Sequence, residues 1–285
     1  MALAKRVVAM LGYDFERGRL DVSPHPFSSG NPYDARITTR FEPRSPLPGL
    51  LAAIHEAGHA MYMLGLPKEW FGTPLGDARD LVVHESQSRL WENHVGRSLP
   101  FWEQVLPMVR EEFPGALAGV TVDQAWRAVN HVQPSLIRVY ADELTYHMHV
   151  ALRFEIEEAL VSGQLRMSEV PSAWNDLMEK YLGIRPKNDA EGCLQDMHWS
   201  TGSFGYFPTY SLGSMLSAQL HAAFQRQTRA SPTDYAALQA WLVEHVHKHG
   251  KRYKTMDLIE RATGSTLTPE PFLAYAKDKY ARVWA

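Results

Sequence analysis

The stretch His55-Glu56-Ala57-Gly58-His59 limits the fold of this chain more than any other. It lies in an apolar run that predicts a helix over residues 48–64, since proline is tolerated in a first helical turn and Gly65 and Pro67 follow the last one. Residues four apart share one face of a helix, so both imidazoles can reach the same ion. The spacing therefore predicts a helix that binds a metal.

The residue types in this motif are those of a zinc site. Two neutral imidazole nitrogens suit Zn²⁺, and Glu56 lies about 100° around the helix from His55, where it can flank the ion without binding it. A free carboxylate in that place can act as a general base on the attacking water. We therefore predict a zinc peptidase with His55 and His59 as ligands and Glu56 as the base. The alternative is a surface helix that carries two histidines.

A third ligand is needed, because a catalytic zinc keeps three protein ligands and one open position. Glu85 lies in a second predicted helix, residues 78–94, and the short connection makes the two helices antiparallel neighbours. Glu85 can then reach the ion. From the residues alone two alternatives stay open: His84, which points about 100° away from Glu85, and Glu92, which lies two turns further along the same face.

Length and composition are those of an ordinary globular chain. It has 285 residues, of which 45% are hydrophobic and 21% charged, and a formal net charge of −3. These values favour neither nucleic acid nor an anionic membrane as a partner, and no apolar run reaches the length of a membrane span. The one cysteine, Cys193, excludes an intramolecular disulfide and is typical of a reducing compartment.

Helix signals dominate the chain, apart from one region near the N-terminus. Residues 21–27 and 35–41 look extended and are separated by a Ser-Ser-Gly-Asn-Pro turn, which predicts a strand pair or hairpin. We expect a single domain over residues 1–285, mainly α, in the form of a multi-helix zincin-like peptidase with this small β element. The other predicted helices span residues 2–11, 100–113, 122–131, 134–161, 168–182, 208–228, 232–249, 255–263 and 268–284, with an irregular segment at 184–207.

Six motifs lie in order along nearly the whole chain: His25-Pro26-Phe27, Asp34-Ala35-Arg36-Ile37-Thr38, His55-Glu56-Ala57-Gly58-His59, His84-Glu85-Ser86-Gln87, Ile137-Arg138-Val139-Tyr140-Ala141-Asp142 and Gly192-Cys193-Leu194-Gln195-Asp196-Met197-His198-Trp199. Together they resemble the motifs of the Taq-type metallocarboxypeptidase family, enzymes that remove C-terminal residues from peptides.

The resemblance implies that His55, His59 and Glu85 bind the metal and that Glu56 is the general base. It also implies a cytoplasmic homodimer that acts on peptides with broad specificity, and Co²⁺ as a possible substitute for Zn²⁺. Family members are longer, with a helical N-terminal half before the segment that corresponds to Met1. We therefore expect either a short member or a piece of a longer chain.

Arg138 and Arg36 are candidates for binding the terminal carboxylate of the substrate, since a guanidinium can hold a carboxylate through two parallel hydrogen bonds. The resemblance places Arg138 in the substrate-binding segment. The alternative for Arg138 is an i,i+4 pair with Asp142 on one helix, and for Arg36 it is an ion pair with Asp34. His25, between two prolines, either closes over the substrate or anchors its own loop.

Donors beside the metal are needed for the oxyanion that forms on the peptide carbonyl. The candidates are His198, Tyr206 and Tyr210, because related helical zinc peptidases use a histidine and tyrosine pair in this way. The alternative for each tyrosine is a half-buried ring with an ordinary hydrogen bond. Gln195 is a candidate for substrate binding, and with Asp196 it is also expected to orient His198 or a metal-bound imidazole.

Overall fold

The computed structural model describes residues 1–42, 45–115 and 117–285. They form two compact units, which are residues 1–129 with 213–285 (the first unit) and residues 130–212 (the second unit). The mainly helical fold with a small sheet near the N-terminus is confirmed, and the single domain stays a prediction. None of the helices in the described ranges combines the length and the apolar composition that crossing a bilayer requires.

In the described residues, three short strands follow the first α-helix and precede all the others. The strands are β1 (Leu20–Val22), β2 (Ser28–Gly30) and β3 (Ala35–Thr39), and the α-helices are α1 (Ala2–Met10), α2 (Leu47–Leu64), α3 (Leu81–Arg89), α4 (Leu99–Glu112), α5 (Val122–Val129), α6 (Tyr146–Val161), α7 (Val170–Leu182), α8 (Pro208–Thr228), α9 (Tyr235–His245), α10 (Thr255–Thr263) and α11 (Glu270–Val283).

The sheet has three strands, in place of the predicted pair. β3 is central, with β1 parallel on one side and β2 antiparallel on the other, so that Leu20 and Ser28 both lie opposite Ile37. The Ser28–Gly30 segment, predicted as a turn, is a strand. The physical reason is a close approach: a Cβ on Gly30 would lie 2.4 Å from the Cα atom of Ala35. Gly30 favours a turn as a residue type, but here its missing side chain is what lets β2 pair closely with β3.

The predicted metal-binding helix is α2, which packs against β3 and α3 in the first unit. Ile54, Ala57 and Met61 are buried along it. Gly58 allows α3 to approach, because a Cβ there would lie 2.8 Å from both the Gln87 carbonyl oxygen and the Ser88 Cα atom. The predicted contact between the two helices is confirmed, and it brings the backbone of α3 directly against that of α2.

α3 is shorter than the helix predicted over residues 78–94. Asp80 caps its first turn by accepting a hydrogen bond from the Val83 backbone N–H at 3.0 Å. After Arg89 the helix widens into a π-helical segment, Leu90–Val95. Such segments are frequent at functional sites, and this one carries Glu92.

The second unit contains α6 and α7, which pack through Leu152, Ile156 and Trp174. The helix predicted over residues 134–161 begins only at Tyr146. Before it, the Asp142 carboxylate accepts hydrogen bonds from two backbone N–H groups that follow it. An aspartate that binds its own backbone competes with helix formation, and this explains why the first half of the predicted helix is wrong.

Candidate metal centre

The three predicted metal ligands converge in the first unit and form the metal cluster: His55, His59 and Glu85. Glu85 Oε2 lies 3.8 Å from His55 Nε2 and 3.5 Å from His59 Nε2, and the three ligand atoms lie within 4.8 Å of one another. Bonds of about 2.1 Å at tetrahedral angles place donor atoms about 3.4 Å apart. The donor types and their spacing therefore fit a divalent metal ion.

Glu92, an alternative third ligand on sequence grounds, is a hydrogen-bond partner of the predicted ligand His55. Its Oε2 lies 2.8 Å from His55 Nδ1. A carboxylate only accepts hydrogen bonds, so Nδ1 carries a hydrogen, and in the neutral ring the lone pair lies on Nε2, toward Glu85. This is the arrangement in which a carboxylate orients a metal-binding imidazole.

His84, the other alternative ligand, has the same relation to the second imidazole. Its Nδ1 lies 2.6 Å from His59 Nδ1, and its ring packs against Tyr62. Burial, together with the nearby His59, lowers the pKa of His84 to about 3. His84 is therefore neutral and can accept the hydrogen of His59 Nδ1, which leaves His59 Nε2 for the metal. The two imidazoles differ in their partners, one charged and one neutral.

Arg89 is a member of the site that the sequence analysis missed. Its Nε donates to Glu85 Oε1 at 2.7 Å, and its Nη1 donates to Glu92 Oε2 at 3.2 Å. Arg97 Nη2 donates to Glu92 Oε1 at 3.3 Å. These four side chains are at most 15% exposed. Positions 85, 89 and 92 follow the i, i+4, i+7 pattern of one helical face, a signal that could have identified the arginine.

The charges of this network fix its protonation states. Burial raises the pKa of the Glu85 carboxyl, but Arg89 and the two imidazoles outweigh burial and hold that pKa well below its ordinary value. The pKa of Glu92 is lowered in the same way, against burial, by Arg89, His55 and Arg97. Both carboxylates are therefore charged at neutral pH.

These carboxylates raise the pKa of His55. Burial lowers its pKa, but Glu85 and Glu92 raise the pKa by more, with a smaller contribution from Glu56. Glu56 is thus close enough to the ring to act on it electrostatically. In the described ranges the converging set consists of His55, His59 and Glu85, and Glu56 is not part of it. Its buried carboxylate is left for other chemistry.

Arg138 lies in the second unit and pairs with a residue far away in sequence. Its Nη2 donates to Asp196 Oδ1 at 2.7 Å and its Nη1 donates to the Tyr146 hydroxyl at 2.6 Å. The pair with Asp142 is wrong, because Arg138 lies in a short 3₁₀ turn, Arg138–Tyr140, in place of the predicted helix. Its part in substrate binding stays a prediction.

A second guanidinium shares the same carboxylate, and we call Arg138, Arg153 and Asp196 the Asp196 cluster. Arg153 Nε donates to Asp196 Oδ2 at 2.7 Å, and its guanidinium lies 4.4 Å from the Trp174 ring centroid. Gln195 Oε1 accepts hydrogen bonds from the Arg138 backbone N–H and Arg153 Nη2, both at 2.9 Å. Burial raises the pKa of Asp196, but the two arginines outweigh it and lower that pKa.

The three residues predicted to stabilise the oxyanion also come together in the second unit. His198 Nε2 lies 3.3 Å from the Tyr210 hydroxyl, and the His198 ring packs against Tyr206. Asp196 Oδ1 is 3.9 Å from His198 Nδ1, which is longer than a hydrogen bond. The roles of these residues and of Gln195 stay predictions.

Arg36 lies in β3 and His25 lies in the connection between β1 and β2, both in the first unit. Arg36 forms a two-pronged pair with Asp34, with Nη2 to Oδ2 at 2.7 Å, and the arginine side chain is 65% exposed. His25 is exposed, and its Nδ1 lies 2.7 Å from the carbonyl oxygen of Pro26. The ion pair predicted as the alternative for Arg36 exists, and substrate binding by either residue stays a prediction.

Comparison with known proteins identifies relatives along the whole chain. The family model of carboxypeptidase Taq (M32) metallopeptidases matches residues 1–280. Thermostable carboxypeptidase 1 of Thermus thermophilus is 44% identical over 287 residues, which is 99% of this chain and 56% of that protein. Carboxypeptidase 1 of Bacillus subtilis is 41% identical over 283 residues, 96% of this chain and 56% of the relative.

Solved structures agree with the sequence relatives. The M32 carboxypeptidase from Deinococcus radiodurans superimposes with a TM-score of 0.96 at 45% identity, over 99% of this chain and 58% of that one. Metallocarboxypeptidase 1 of Trypanosoma cruzi gives a TM-score of 0.94 at 42% identity, over 98% of this chain and 60% of that one. The chain thus spans little more than half the length of the proteins it matches.

Proposed function

Because the chain belongs to the carboxypeptidase Taq (M32) metallopeptidase family, we propose that it hydrolyses the C-terminal peptide bond of peptides with the help of a divalent metal. The observation that carries this proposal is the convergence of His55 Nε2, His59 Nε2 and Glu85 Oε2. Two imidazoles and one carboxylate are a donor set of catalytic zinc, so Zn²⁺ is the proposed ion and Co²⁺ a substitute. The chain spans about half the length of its relatives. That the chain is active on its own is therefore also part of the proposal.

Glu56 is the proposed general base. A bound divalent ion would polarise the scissile carbonyl and acidify the attacking water. The Glu56 carboxylate takes a proton from that water and delivers it to the nitrogen of the departing residue. Its place next to His55 on α2 supports this role, since it is close to the ligands and outside the converging set.

Arg138 is the proposed anchor of the substrate's terminal carboxylate. In the Asp196 cluster two guanidiniums share one carboxylate, so positive charge is in excess there, which is the property that binding an anion requires. His198, Tyr206 and Tyr210 are proposed as oxyanion donors, and their mutual contacts support a common role. Gln195 supports the proposal indirectly, because its amide holds the Arg138 backbone in place.

N-blocked dipeptides with a free or an amidated C-terminus test the reaction, together with Glu56→Gln. We expect hydrolysis of the free acids alone, and a loss of about 10²–10⁴-fold in turnover in Glu56→Gln with stoichiometric metal in both proteins. Equal cleavage of amidated substrates would show an oligopeptidase instead. Metal binding without hydrolysis would contradict activity of the isolated chain and would indicate that a partner chain is required.

The setting of this reaction is also part of the proposal. A reducing compartment, the cytoplasm, suits a chain with one cysteine, and the resemblance to longer family members supports a homodimer. Light scattering coupled to size exclusion would give the mass of the particle. A monomer at all concentrations would contradict the dimer and leave the proposed chemistry untouched.

A further inference from the structure

The two oxygens of the Glu85 carboxylate have different environments. Oε2 lies toward the two Nε2 atoms of His55 and His59, while Oε1 accepts the hydrogen of Arg89 Nε at 2.7 Å. A carboxylate can bind a cation through one oxygen or both. The contact with Arg89 therefore separates the oxygen that faces the site from the one that does not.

The carbon atoms of Glu85 are held as well. A Cβ on Gly213 of α8 would lie 2.8 Å from both the Cβ and the Cγ atoms of Glu85. The backbone of α8 thus lies directly against this side chain, which is 8% exposed. With its stem against α8 and one oxygen on a guanidinium, the carboxylate has little freedom to rotate.

Arg89 is itself held on a second carboxylate. Its Nη1 donates to Glu92 Oε2, the oxygen that also accepts the hydrogen of His55 Nδ1. One guanidinium therefore contacts a metal ligand, Glu85, and the partner of another ligand, Glu92. A planar guanidinium can make both contacts at once, whereas an ammonium is a point charge on a flexible stem.

We propose that Arg89 is a positioning residue that restricts Glu85 to binding the metal through Oε2 alone. This inference rests on the proposed function and concerns the number of protein donors in the site. Two imidazoles and one carboxylate oxygen leave a fourth place open, as a catalytic site requires. Without Arg89, Oε1 is free to turn toward the ion as a fourth protein donor, which together with water in the open place raises the total number of donors from four to five.

The test replaces the native ion by Co²⁺ in the full 285-residue chain, because the intensity of the visible Co²⁺ bands falls as the number of donors rises. At saturating Co²⁺, with the metal content measured, we expect Arg89→Met to bind one ion and to lose about twofold or more of the band intensity. Arg89→Lys keeps the charge but not the fork, so we expect the same loss of intensity.

Arg97→Met is the matched control. Arg97 donates to Glu92 Oε1 and to the carbonyl oxygen of Val129, so its removal takes a charge from Glu92 and leaves the bond between Arg89 and Glu85 Oε1 in place. We therefore expect its Co²⁺ spectrum to equal that of the wild type. Circular dichroism verifies that each variant is folded, and Arg89→Lys carries the test if Arg89→Met does not fold.

The outcomes separate this inference from the proposed function. Wild-type intensity in both Arg89 variants overturns the inference and leaves the metal site intact. Wild-type intensity in Arg89→Lys alone also overturns it, since charge would then suffice without the fork. An equal loss in Arg97→Met contradicts the assignment to Glu85. A wild-type chain that binds no Co²⁺ contradicts the proposed function itself.

Discussion

The metal cluster and the Asp196 cluster are both buried and each contains a central carboxylate. Only in the Asp196 cluster do both oxygens of that carboxylate accept a hydrogen bond from a guanidinium. In the metal cluster, His55 and His59 use their Nδ1 atoms on other partners, so their Nε2 lone pairs face a carboxylate oxygen. In the Asp196 cluster each carboxylate oxygen receives an N–H, Oδ1 from Arg138 and Oδ2 from Arg153.

This difference assigns different tasks to the two clusters. Lone pairs that face one another are stabilised only by a cation or a proton, so the donor set of the first cluster fits a bound cation. In the second, both carboxylate oxygens are already paired within the cluster, and the second guanidinium leaves the excess positive charge on which the proposed role of Arg138 depends. A change in the first should alter metal binding more than stability, and a change in the second should do the reverse.

The largest effect is expected for Asp196→Asn. It leaves Arg138 and Arg153 buried without the carboxylate between them, and breaking a buried ion pair in this way costs about 3–5 kcal/mol of the free energy of unfolding. Urea denaturation followed by circular dichroism measures the loss. Asp176→Asn is the control, because Asp176 forms an exposed pair with Arg185, and such pairs contribute little. Equal stability of the two variants would contradict the ion-pair network.

A smaller effect on binding is expected for Glu92→Gln. The amide oxygen can still accept the hydrogen of His55 Nδ1, but the charge that strengthens this bond is lost. Partners of metal-binding histidines typically contribute about 10–100-fold to metal affinity, so we expect a loss in that range. His84→Gln exchanges one neutral partner of His59 for another and should lose less. Competition with a chelating dye measures the metal affinity of both variants. A larger loss of affinity in His84→Gln would contradict the greater contribution expected of the charged partner.

Local spacing was enough to predict the part of the metal cluster that lies on one helix. His55 and His59 are fixed by the four-residue period, and Glu85 needed only the further step that two helices joined by a short connection pack together. Arg89 was missed because its role depends on which carboxylate oxygen it contacts, and a helical pattern does not contain that information.

The Asp196 cluster was beyond the reach of such rules. Arg138 and Asp196 are 58 residues apart, and the rule for neighbours on a helix favoured Asp142 instead. Arg153 was not singled out at all, since a lone arginine in a helix gives no sign that it will be buried on Trp174. The strand at Ser28–Gly30 was predicted as a turn for a similar reason, because its pairing depends on a contact with Ala35.

The smallest effect, taken for one histidine and one pH unit, is an acid sensitivity that should distinguish the two units. Burial lowers the pKa of His84 and His247 to about 3 and that of His221 to about 4 in the first unit, and the pKa of His149 to about 4 in the second. Below the ordinary pKa of 6.5 these histidines bind protons in the unfolded chain but stay neutral in the folded chain. Each of these histidines therefore lowers the free energy of unfolding by about 1.4 kcal/mol per pH unit as the pH falls from 6.5 toward the folded pKa.

Hydrogen exchange of the metal-free chain at about pH 7 and about pH 5 measures this sensitivity for each unit separately. We expect the first unit to lose protection more steeply than the second, because it holds these three histidines and also His94, whose pKa burial lowers well below its ordinary value. The carboxylates with lowered pKa values add their loss only at lower pH, because the unfolded state protonates them near pH 4. Equal loss in the two units would contradict the assignment of neutral buried histidines.

The most direct test of the metal cluster is the position of the ion itself. Crystals of the chain grown with Zn²⁺, with data collected on both sides of the zinc absorption edge, give an anomalous peak at each bound ion. We predict one peak at about 2.0–2.2 Å from His55 Nε2, His59 Nε2 and Glu85 Oε2. A peak bound by His84 or Glu92, or no peak among these three atoms, would contradict the account.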